Sequence, residues 1–315
     1  MSTPWRIVFF GTPDFAVPPL REFLKGPDRV VAVVTQPDRP KGRGRKVIPS
    51  PVKELASSQG LNVFQPERVK EGAFQERLQE MQPDLFVVVA YGQILPKALL
   101  VLPRHGAVNV HASLLPKYRG AAPIAWSILK GEEVTGVTTM MMDEGMDTGD
   151  ILLQAEVALG ERETSETLHD RLAGLGARLL LDTLEGLKGG TVRRRPQDHS
   201  KATYAPIMKK EDGRIDWTKG AEEIDRQVRA FHPWPGAFTY WDGKLLKIYL
   251  GEVRGGGSIP KRETGEVVWV GSDFIEVLTG KGAFCIREAQ LEGGKKMAVR
   301  DFLAGHPIPV GTVLD

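Results

Sequence analysis

Cysteine and long apolar runs are both scarce in this sequence. Cys285 is the only cysteine among 315 residues, and the longest apolar run, Leu85 to Tyr91, has seven residues. One cysteine cannot form an internal disulfide or a cysteine-based metal site, and seven residues fall far short of the ~20 that cross a bilayer. We therefore expect neither a disulfide-stabilised secreted domain nor a transmembrane protein, and we expect the lone thiol to be inert.

The amino end also lacks the apolar stretch and cleavage site of a signal peptide, because Ile7 to Phe10 is followed at once by Gly11-Thr12-Pro13. We expect the protein to stay in the cytoplasm. Internal repeats and long polar tracts are missing, and a composition of 41% hydrophobic and 26% charged residues is typical of a globular protein. A chain of this length predicts two domains, since one domain usually holds roughly 100 to 200 residues.

A large excess of either charge is missing too: the formal net charge is +2. The molecule as a whole is therefore not a polycation that coats nucleic acid, and any such binding must use local clusters. Two basic clusters are present. The segment Arg39 to Lys46, RPKGRGRK, has five basic residues and no acidic one, and the second cluster is Arg193 to Arg195.

The first half of the chain alternates short β-rich runs with longer helical stretches, which predicts βαβ units and a parallel sheet. The runs IVFF, VVAVV and LFVVVA are apolar without alternation, as expected for central strands buried on both faces. We therefore predict a doubly wound, Rossmann-like α/β sheet with its site at the carboxyl ends of the strands. The predicted strands are Arg6 to Phe10, Val30 to Thr35, Leu61 to Phe64, Leu85 to Ala90 and Ala107 to Val110, with a later pair, Val134 to Met142 and Ile151 to Val157.

A helix with an apolar leucine face is predicted from Thr164 until Gly189-Gly190 stops it, so the first domain is expected to span residues 1–189. Residues 190–207 contain Pro196 and many charges, and they are predicted to form a linker. Residues 208–315 contain one amphipathic helix, around Ala221 to Phe231, and several short β-runs between glycine-rich breaks, which predicts a small OB-like β-barrel. These β-runs are Leu245 to Tyr249, Gly265 to Val270, Phe274 to Leu278 and Gly282 to Ala289.

The sequence NVHASLLP, residues 109–116, lies where the predicted strand Ala107 to Val110 ends. Strand alternation puts Asn109 and His111 on the same side. An amide can stabilise a developing oxyanion, and an imidazole can move protons near neutral pH, so the pair indicates a carbonyl reaction. A core histidine with satisfied hydrogen bonds, beside an asparagine that caps a turn, explains the spacing equally well.

An acidic loop, DEGMDTGD at residues 143–150, follows an apolar predicted strand. A buried carboxylate from this loop could orient His111 and support its charged form. A solvated acidic turn is the alternative interpretation. The acids at Asp143, Asp147 and Asp150 superficially resemble a calcium loop, but their spacing does not match the twelve-residue EF-hand pattern, so we predict no metal site.

The first predicted strand is followed by Gly11-Thr12-Pro13-Asp14, where a dinucleotide-binding protein would carry its glycine fingerprint. The further glycines of that fingerprint are missing, and Gly42-Arg43-Gly44 lacks a preceding strand. A Rossmann dehydrogenase is therefore not indicated, and the sequence has no Walker phosphate loop.

Taken together, the motifs resemble those of the folate-dependent formyltransferases. Asn109, His111 and Asp147 match the catalytic trio of that family, within NVHASLLPKYRGAAPI and DEGMDTGDI. The members that act on methionyl-tRNA are the most similar, on the segments FFGTPDFAVPPL, QPDRPKGRGRK and FHPWPGAF. The resemblance covers essentially the whole chain.

This resemblance implies transfer of the formyl group of 10-formyltetrahydrofolate to the α-amine of methionine on initiator tRNA, without a metal. For that chemistry we expect Asn109 to stabilise the oxyanion with His111 assisting as a donor, and Asp147 to position His111 or relay protons through water. The folate-binding residues that it implies are Val89, Tyr91, Gly92, Ile94, Leu95, Ser113, Leu114, Leu115, Pro116, Asp143 and Gly145. For residues 113–116, a strand exit terminated by proline is the alternative.

The basic loop Arg39 to Lys46 would by composition alone be an ordinary solvated loop. Beside such a catalytic domain, contact with phosphates becomes the better interpretation, and the glycines allow the loop to order on binding. The resemblance implies that the loop enters the acceptor arm of the tRNA and that Arg43 matches the key arginine. The expected tRNA contacts are Arg39, Lys41, Arg43, Arg45, Lys46, Arg194 and Lys209.

Three other functions fit part of the sequence: formylation of an amino sugar, hydrolysis of the same folate to release formate, and non-catalytic RNA binding. The basic loop and the second-domain motif argue against the amino sugar, and the presence of all three members of the trio argues against a non-catalytic protein. The aromatic segment His232 to Pro235 is interpreted as a packed corner rather than a base-stacking site. We expect the enzyme to act as a monomer.

Overall fold

The computed structural model describes residues 3–41, 46–254 and 262–315. The chain divides into two compact units. The first unit comprises Met1–Pro123, Val134–Ala158 and His169–Ala205, and the second comprises Ile124–Glu133, Leu159–Leu168 and Pro206–Asp315. Within the described residues, no helix is long and apolar enough to cross a membrane.

The secondary structure of the described residues is as follows. The strands are β1 Arg6–Gly11, β2 Arg29–Val34, β3 Arg39–Lys41, β4 Lys46–Ile48, β5 Val63–Phe64, β6 Leu85–Val89, β7 Ala107–His111, β8 Arg119–Gly120, β9 Val134–Met141, β10 Ile151–Ala158, β11 Tyr204–Ala205, β12 Ala237–Trp241, β13 Lys244–Arg254, β14 Val267–Val270, β15 Ile275–Leu278, β16 Ala283–Leu291 and β17 Met297–Ala298. The α-helices are α1 Val17–Phe23, α2 Pro51–Ser58, α3 Gly72–Glu80, α4 Lys97–Leu100, α5 Pro123–Leu129, α6 Ser165–Lys188, α7 Ala221–Ala230 and α8 Val299–Gly305, with 3-10 turns at Asp14–Ala16, His199–Lys201 and Lys210–Gly213.

The main sheet of the first unit has the strand order β10-β9-β7-β6-β1-β2-β5. The five neighbouring strands β7, β6, β1, β2 and β5 pair in parallel. In contrast, β9 is antiparallel to β7, and β10 is antiparallel to β9. All five residues of β6 are buried, and so are Ile7 to Phe10 in β1. The uninterrupted apolar runs therefore form the centre of the sheet, which confirms the predicted Rossmann-like α/β fold.

The functional edge of this sheet follows from its strand order. The order reverses between β1 and β6, and ligands of doubly wound sheets bind outside the carboxyl ends of the strands near such a reversal. The next strand is β7, whose Asn109 lies opposite Val88 of β6. The ends of β6 and β7 therefore deliver residues 89–95 and 109–116 to neighbouring positions.

The segment 190–207, predicted to be a linker, is bonded to the first unit over much of its length. Arg195 and Ile151 exchange two backbone hydrogen bonds, of 2.8 and 2.9 Å. Further along, β11 pairs in parallel with β8, so that Tyr204 lies opposite Arg119. This segment therefore holds the backbone around β8 in place.

The second unit is built on an antiparallel sheet with the order β12-β13-β16-β15-β14, and β17 pairs with β16. Its core joins Ile224 of α7 to buried residues of the sheet such as Leu246, Val277 and Phe284. A β-rich second domain was predicted and is confirmed. The strand β12 was not among the predicted β-runs, the first of which begins at Leu245.

Candidate active site

Asn109 and His111 occupy alternate positions at the end of β7, which puts both side chains on one face of the sheet. They are 9% and 6% exposed. On the other side of β7 from β6 lies β9, whose Met140 and Thr138 are opposite Asn109 and His111. The pair therefore lies in a largely buried position, where electrostatic interactions are stronger than in water.

The two ring nitrogens of His111 have different neighbours. Nε2 lies 2.9 Å from the carbonyl oxygen of Tyr118. A carbonyl can only accept a hydrogen bond, so Nε2 carries a hydrogen and donates it. Nδ1 lies 3.6 Å from Oδ2 of Asp147. In the neutral ring Nδ1 is therefore the unprotonated nitrogen, and it faces the carboxylate of Asp147.

The acidic loop reaches His111 by folding back along β7. Met141, the last residue of β9, lies opposite Val108, near the start of β7, so the loop must return by about 10 Å to bring Asp147 beside His111. Asp147 has a φ of 54°, and its Oδ2 accepts a 2.8 Å hydrogen bond from the backbone N–H of Gly120. The carboxylate is thus fixed by the backbone of a second segment, and it can orient the imidazole beside it.

Asn109 has a free amide. Within the described part of the chain, neither its oxygen nor its nitrogen forms a hydrogen bond, and neither atom is fully enclosed. The amide can therefore donate to an oxygen atom of a substrate that enters this position. Asn109, His111 and Asp147, which the sequence singled out, combine a free donor, a fixed imidazole and a fixed carboxylate.

The predicted folate residues of the strand exit differ in their surroundings. Ser113 is buried and donates to the carbonyl oxygen of Lys117 at 2.6 Å. Both backbone groups of Leu115 form hydrogen bonds: its N–H donates to the hydroxyl of Thr138, and its carbonyl oxygen accepts from the amide of Gln154. Leu114 and Pro116 are partly exposed. Ser113 and Leu115 therefore shape this loop from inside, and Leu114 and Pro116 contribute to its surface.

The segment from the end of β6, residues 89–95, likewise contains both buried and exposed residues. Val89, Tyr91 and Leu95 are at most 2% exposed, whereas Gly92 and Ile94 are exposed. The hydroxyl of Tyr91 has no hydrogen-bond partner in the described residues, and burial raises the pKa of this phenol. Tyr91 and Leu95 thus present core side chains, and the backbone around Gly92 is the part that a ligand can reach.

Residues 143–145 form an exposed turn beside that segment. The carboxylate of Asp143 accepts hydrogen bonds from the N–H of Gly145 and the hydroxyl of Thr148, at 3.0 and 2.6 Å. Glu144 forms an ion pair of 2.7 Å with Lys97, at the start of α4. This exposed ion pair shows that the turn lies beside the segment that follows β6. Among the described residues, no group of three His, Cys, Asp or Glu side chains could hold a metal ion.

The predicted tRNA contacts are distributed over several surfaces. Arg39, Lys41 and Lys46 lie on a small antiparallel hairpin formed by β3 and β4, and Arg39 is exposed. Arg43 and Arg45 lie outside the described residues. Arg194 is exposed in the first unit, and Lys209 is exposed in the second unit.

Comparison with known proteins identifies the family. Residues 5–184 match the family model "Formyl transferase", and residues 207–307 match "Formyl transferase, C-terminal domain". A methionyl-tRNA formyltransferase of Citrifermentans bemidjiense is 51% identical over 99% of this chain and 97% of its own length. Another, of Caldanaerobacter subterraneus, is 51% identical over 98% of this chain and 99% of its own length. The chain belongs to the methionyl-tRNA formyltransferase family.

Solved structures share the fold of this family at lower identity. An N-formyltransferase of Helicobacter canadensis, crystallised with folinic acid and dTDP-3-aminofucose, has a TM-score of 0.68 and 20% identity, over 93% of this chain and all of the other. HypX of Aquifex aeolicus in complex with tetrahydrofolic acid has a TM-score of 0.62 and 19% identity, over 96% of this chain and 47% of the other. These likenesses show the fold alone.

Two groups that hold Asp147 were not predicted from the sequence. Gly120 donates to its carboxylate, and Gln197 donates to its carbonyl oxygen. Arg119 and Gly120 lie within the motif NVHASLLPKYRGAAPI, which could have drawn attention to them. Gln197 stands in a charged stretch between the two matched ranges, where no pattern distinguishes it.

Proposed function

We propose that this chain transfers the formyl group of 10-formyltetrahydrofolate to the α-amine of methionyl-initiator tRNA, acting as a cytoplasmic monomer. The observation that carries the proposal is the grouping of Asn109, His111 and Asp147 at one strand end, in a chain about half identical to methionyl-tRNA formyltransferases along its whole length. In the reaction a bond forms between the amine nitrogen and the formyl carbon, and the bond from that carbon to the folate nitrogen breaks.

Asn109 donates a hydrogen bond to the formyl oxygen as negative charge develops there, which is the role of an oxyanion-stabilising donor. His111 receives the proton that the attacking amine loses, and it does so at Nδ1, because Nε2 already donates to Tyr118. Asp147 stabilises the resulting imidazolium from 3.6 Å. Protonated His111 then supplies, from Nδ1, the proton that the departing folate nitrogen gains.

The folate site is proposed to lie along the exposed backbone at Gly92 to Ile94 and at Asp143 to Gly145. This surface fits a pterin because main-chain N–H and C=O groups can match its hydrogen-bonding edge, and Tyr91 and Leu95 support the first segment from the core. Leu114 and Pro116 would contact the remainder of the molecule. When bound, the folate supplies an activated formyl group, so the protein residues need only position it and move protons.

The tRNA is proposed to contact the β3–β4 hairpin through Arg39, Lys41 and Lys46, with Arg43 and Arg45 between them in sequence. Arg194 and Lys209 are proposed to contact its backbone elsewhere. Exposed arginines and lysines bind phosphates without reading sequence. The acceptor arm is the part of the tRNA that must approach the site, since its end carries the methionine.

The proposal is tested with the full-length protein, 10-formyltetrahydrofolate and three parallel acceptors: methionyl-initiator tRNA, a dTDP-linked amino sugar, and buffer. We expect rapid consumption of the donor only with the tRNA, together with N-formylmethionyl-tRNA as the product. Faster consumption with the amino sugar, or equal consumption in buffer, would contradict the proposal. In the same assay, Asn109→Ala should lower kcat by about 10²- to 10³-fold.

A further inference from the structure

We propose that Gln197 is a positioning residue for the reaction, held by Arg119, and that it acts by fixing the backbone of Asp147. The inference rests on the proposed function, since it assumes that the carboxylate of Asp147 supports His111. Gln197 lies between the two ranges matched by the family models. The inference therefore gives a role in the candidate site to a segment outside both ranges.

The amide of Gln197 joins two carbonyl groups of the acidic loop. Its Nε2 donates to the carbonyl oxygens of Asp147 and Gly149, at 2.8 and 2.7 Å. Gln197 is 6% exposed, so these bonds are shielded from water. Within the described residues, these two bonds use both hydrogens of the amide nitrogen.

Asp147 needs such support because of its backbone conformation. Its φ of 54° lies in the left-handed region, which residues other than glycine adopt at a cost unless their surroundings fix them. Two contacts do so: Gly120 holds the carboxylate and Gln197 holds the carbonyl oxygen. If the second contact is lost, the backbone is free to relax, and the carboxylate moves away from Nδ1 of His111.

Arg119 determines which way the amide of Gln197 faces. Its Nε and Nη2 donate to Oε1 of Gln197 at 3.1 and 2.6 Å. Because the guanidinium only donates, the amide oxygen must face Arg119 and the nitrogen must face the carbonyl groups. Arg119 is 2% exposed, and in the described part of the chain it forms no ion pair with a carboxylate. Its buried guanidinium is therefore directed at the amide oxygen of Gln197, and Nη2 also lies 3.1 Å from Nδ1 of His199.

Arg119 is itself placed by the pairing of β8 with β11. Its N–H donates to the carbonyl oxygen of Thr203 at 2.9 Å. The side chain of Arg119 thus acts on the backbone of Asp147 through Gln197, and the N–H of the next residue, Gly120, acts on the carboxylate. The two residues of β8 therefore hold both the backbone carbonyl and the side-chain carboxylate of Asp147.

The test compares Gln197→Ala and Gln197→Glu with the wild-type chain in the formylation of methionyl-tRNA. Glutamate keeps an acceptor for Arg119 but places a carboxylate against the carbonyl oxygens of Asp147 and Gly149. We expect both variants to lower kcat by about 10- to 100-fold with little change in KM for either substrate, since they displace a reacting group without touching the substrates.

The matched control is Gln227→Ala in the second unit. Gln227 is 5% exposed, and its Nε2 also donates to two carbonyl oxygens, those of Asp212 and Arg214, both at 3.0 Å. It should lower the melting temperature about as much as Gln197→Ala while retaining the wild-type kcat. An equal loss of kcat in both alanine variants would reduce Gln197 to a structural role and overturn the inference.

Asp147→Asn separates this inference from the proposed function, because asparagine tolerates a positive φ but lacks the charge. In that background, adding Gln197→Ala should change kcat by no more than about twofold, since both changes remove the same interaction. If Asp147→Asn alone leaves kcat unchanged, the catalytic role of Asp147 fails. If Asp147→Asn lowers kcat but Gln197→Ala does not, only the role of Gln197 is overturned.

Discussion

At the scale of the residue, His111 shows how contacts near a strand end fix an imidazole ring from both of its nitrogens. The carbonyl of Tyr118 fixes the ring through Nε2, and Asp147 faces Nδ1. A ring held on one side can exchange a proton on the other without first rotating. This arrangement requires the contacts with both Tyr118 and Asp147. The spacing of Asn109 and His111, two positions apart in the sequence, could indicate neither contact.

His111→Ala should lower kcat by at least about 100-fold, because a general acid and base contributes about 10²- to 10⁴-fold. Binding of the folate, measured by calorimetry, should be nearly unchanged. The control is His105→Ala, which removes a ring stacked on Trp5 at 4.4 Å. An active His111→Ala protein, or an equal loss in His105→Ala, would remove His111 from the mechanism.

Cys285 provides a second prediction at this scale. The thiol is 3% exposed on β16, and burial raises its pKa to about 11. The reactive thiolate is therefore a minor species at pH 8, so a disulfide reagent should modify the folded protein at least ~100-fold more slowly than free cysteine. Unfolding in guanidinium chloride should restore rapid labelling. Equally rapid labelling of the folded chain would show that the thiol is accessible.

At the scale of the elements, α6 is tied to the edge of β2 by a buried ion pair. Lys188, the last residue of α6, bonds the carboxylate of Asp28, and each side chain is 9% exposed. The same carboxylate accepts from the N–H of Trp5 at 2.8 Å, and the ammonium lies 5.2 Å from the centre of the Trp5 ring. These contacts therefore join the end of α6, the residue before β1 and the turn before β2.

Lys188→Met should lower the free energy of unfolding of the chain by about 3 to 5 kcal/mol, because it leaves Asp28 as an unpaired buried charge. The matched change is Lys25→Met, which breaks an exposed pair with Glu22 and should cost about 0 to 1 kcal/mol. Denaturant titration of both variants measures the difference. Similar losses of unfolding free energy in the two variants would mean that burial does not make the Lys188–Asp28 pair more stabilising than an exposed pair.

The elements that the sequence predicted well are those with a strong local pattern. Apolar runs located β1, β2, β6 and β7 within one or two residues, and the leucine face located α6. The pairing of β8 with β11 was out of reach, because each strand has two residues and they are 85 positions apart. A two-residue strand has no periodicity, and its existence depends on a distant partner.

The same reason explains what was predictable in the site. Alternation along a single strand put Asn109 and His111 together, and the family motif added Asp147. The support of Asp147 depends on a loop that folds back and on Gln197, a polar residue in a charged stretch. Contacts made across the fold by isolated polar residues leave no pattern in the sequence.

At the scale of the whole molecule, the net charge of +2 results from extensive local cancellation. In the second unit, Arg287 pairs with Glu252 and Asp273, and its hydrogen bonds hold the pKa of Glu252 below the usual value. Arg254 pairs with Glu276 at 2.6 Å. Attraction to a polyanion is therefore expected from clusters of basic residues, and Arg39 to Lys46, with five, has more of them than Arg193 to Arg195.

Arg43→Ala tests whether this basic segment contributes phosphate contacts. Each neutralised phosphate adds about −0.9 to the slope of the logarithm of the binding constant against the logarithm of salt concentration on a duplex. The slope for methionyl-tRNA should therefore become shallower by about one unit if one contact is lost. Use of the tRNA should weaken, while slow hydrolysis of the formyl donor should be unaffected, because water brings no phosphates to the protein.

The control is Arg77→Ala, which removes an exposed arginine on α3. It changes the net charge by the same amount, so any effect of overall charge appears equally in both variants. A shallower slope in Arg43→Ala alone assigns the attraction to the loop. Equal slopes and equal turnover in the two variants would make Arg39 to Lys46 an ordinary solvated loop, and specificity for tRNA would then depend on the second unit, with an amino-sugar acceptor as the stronger alternative.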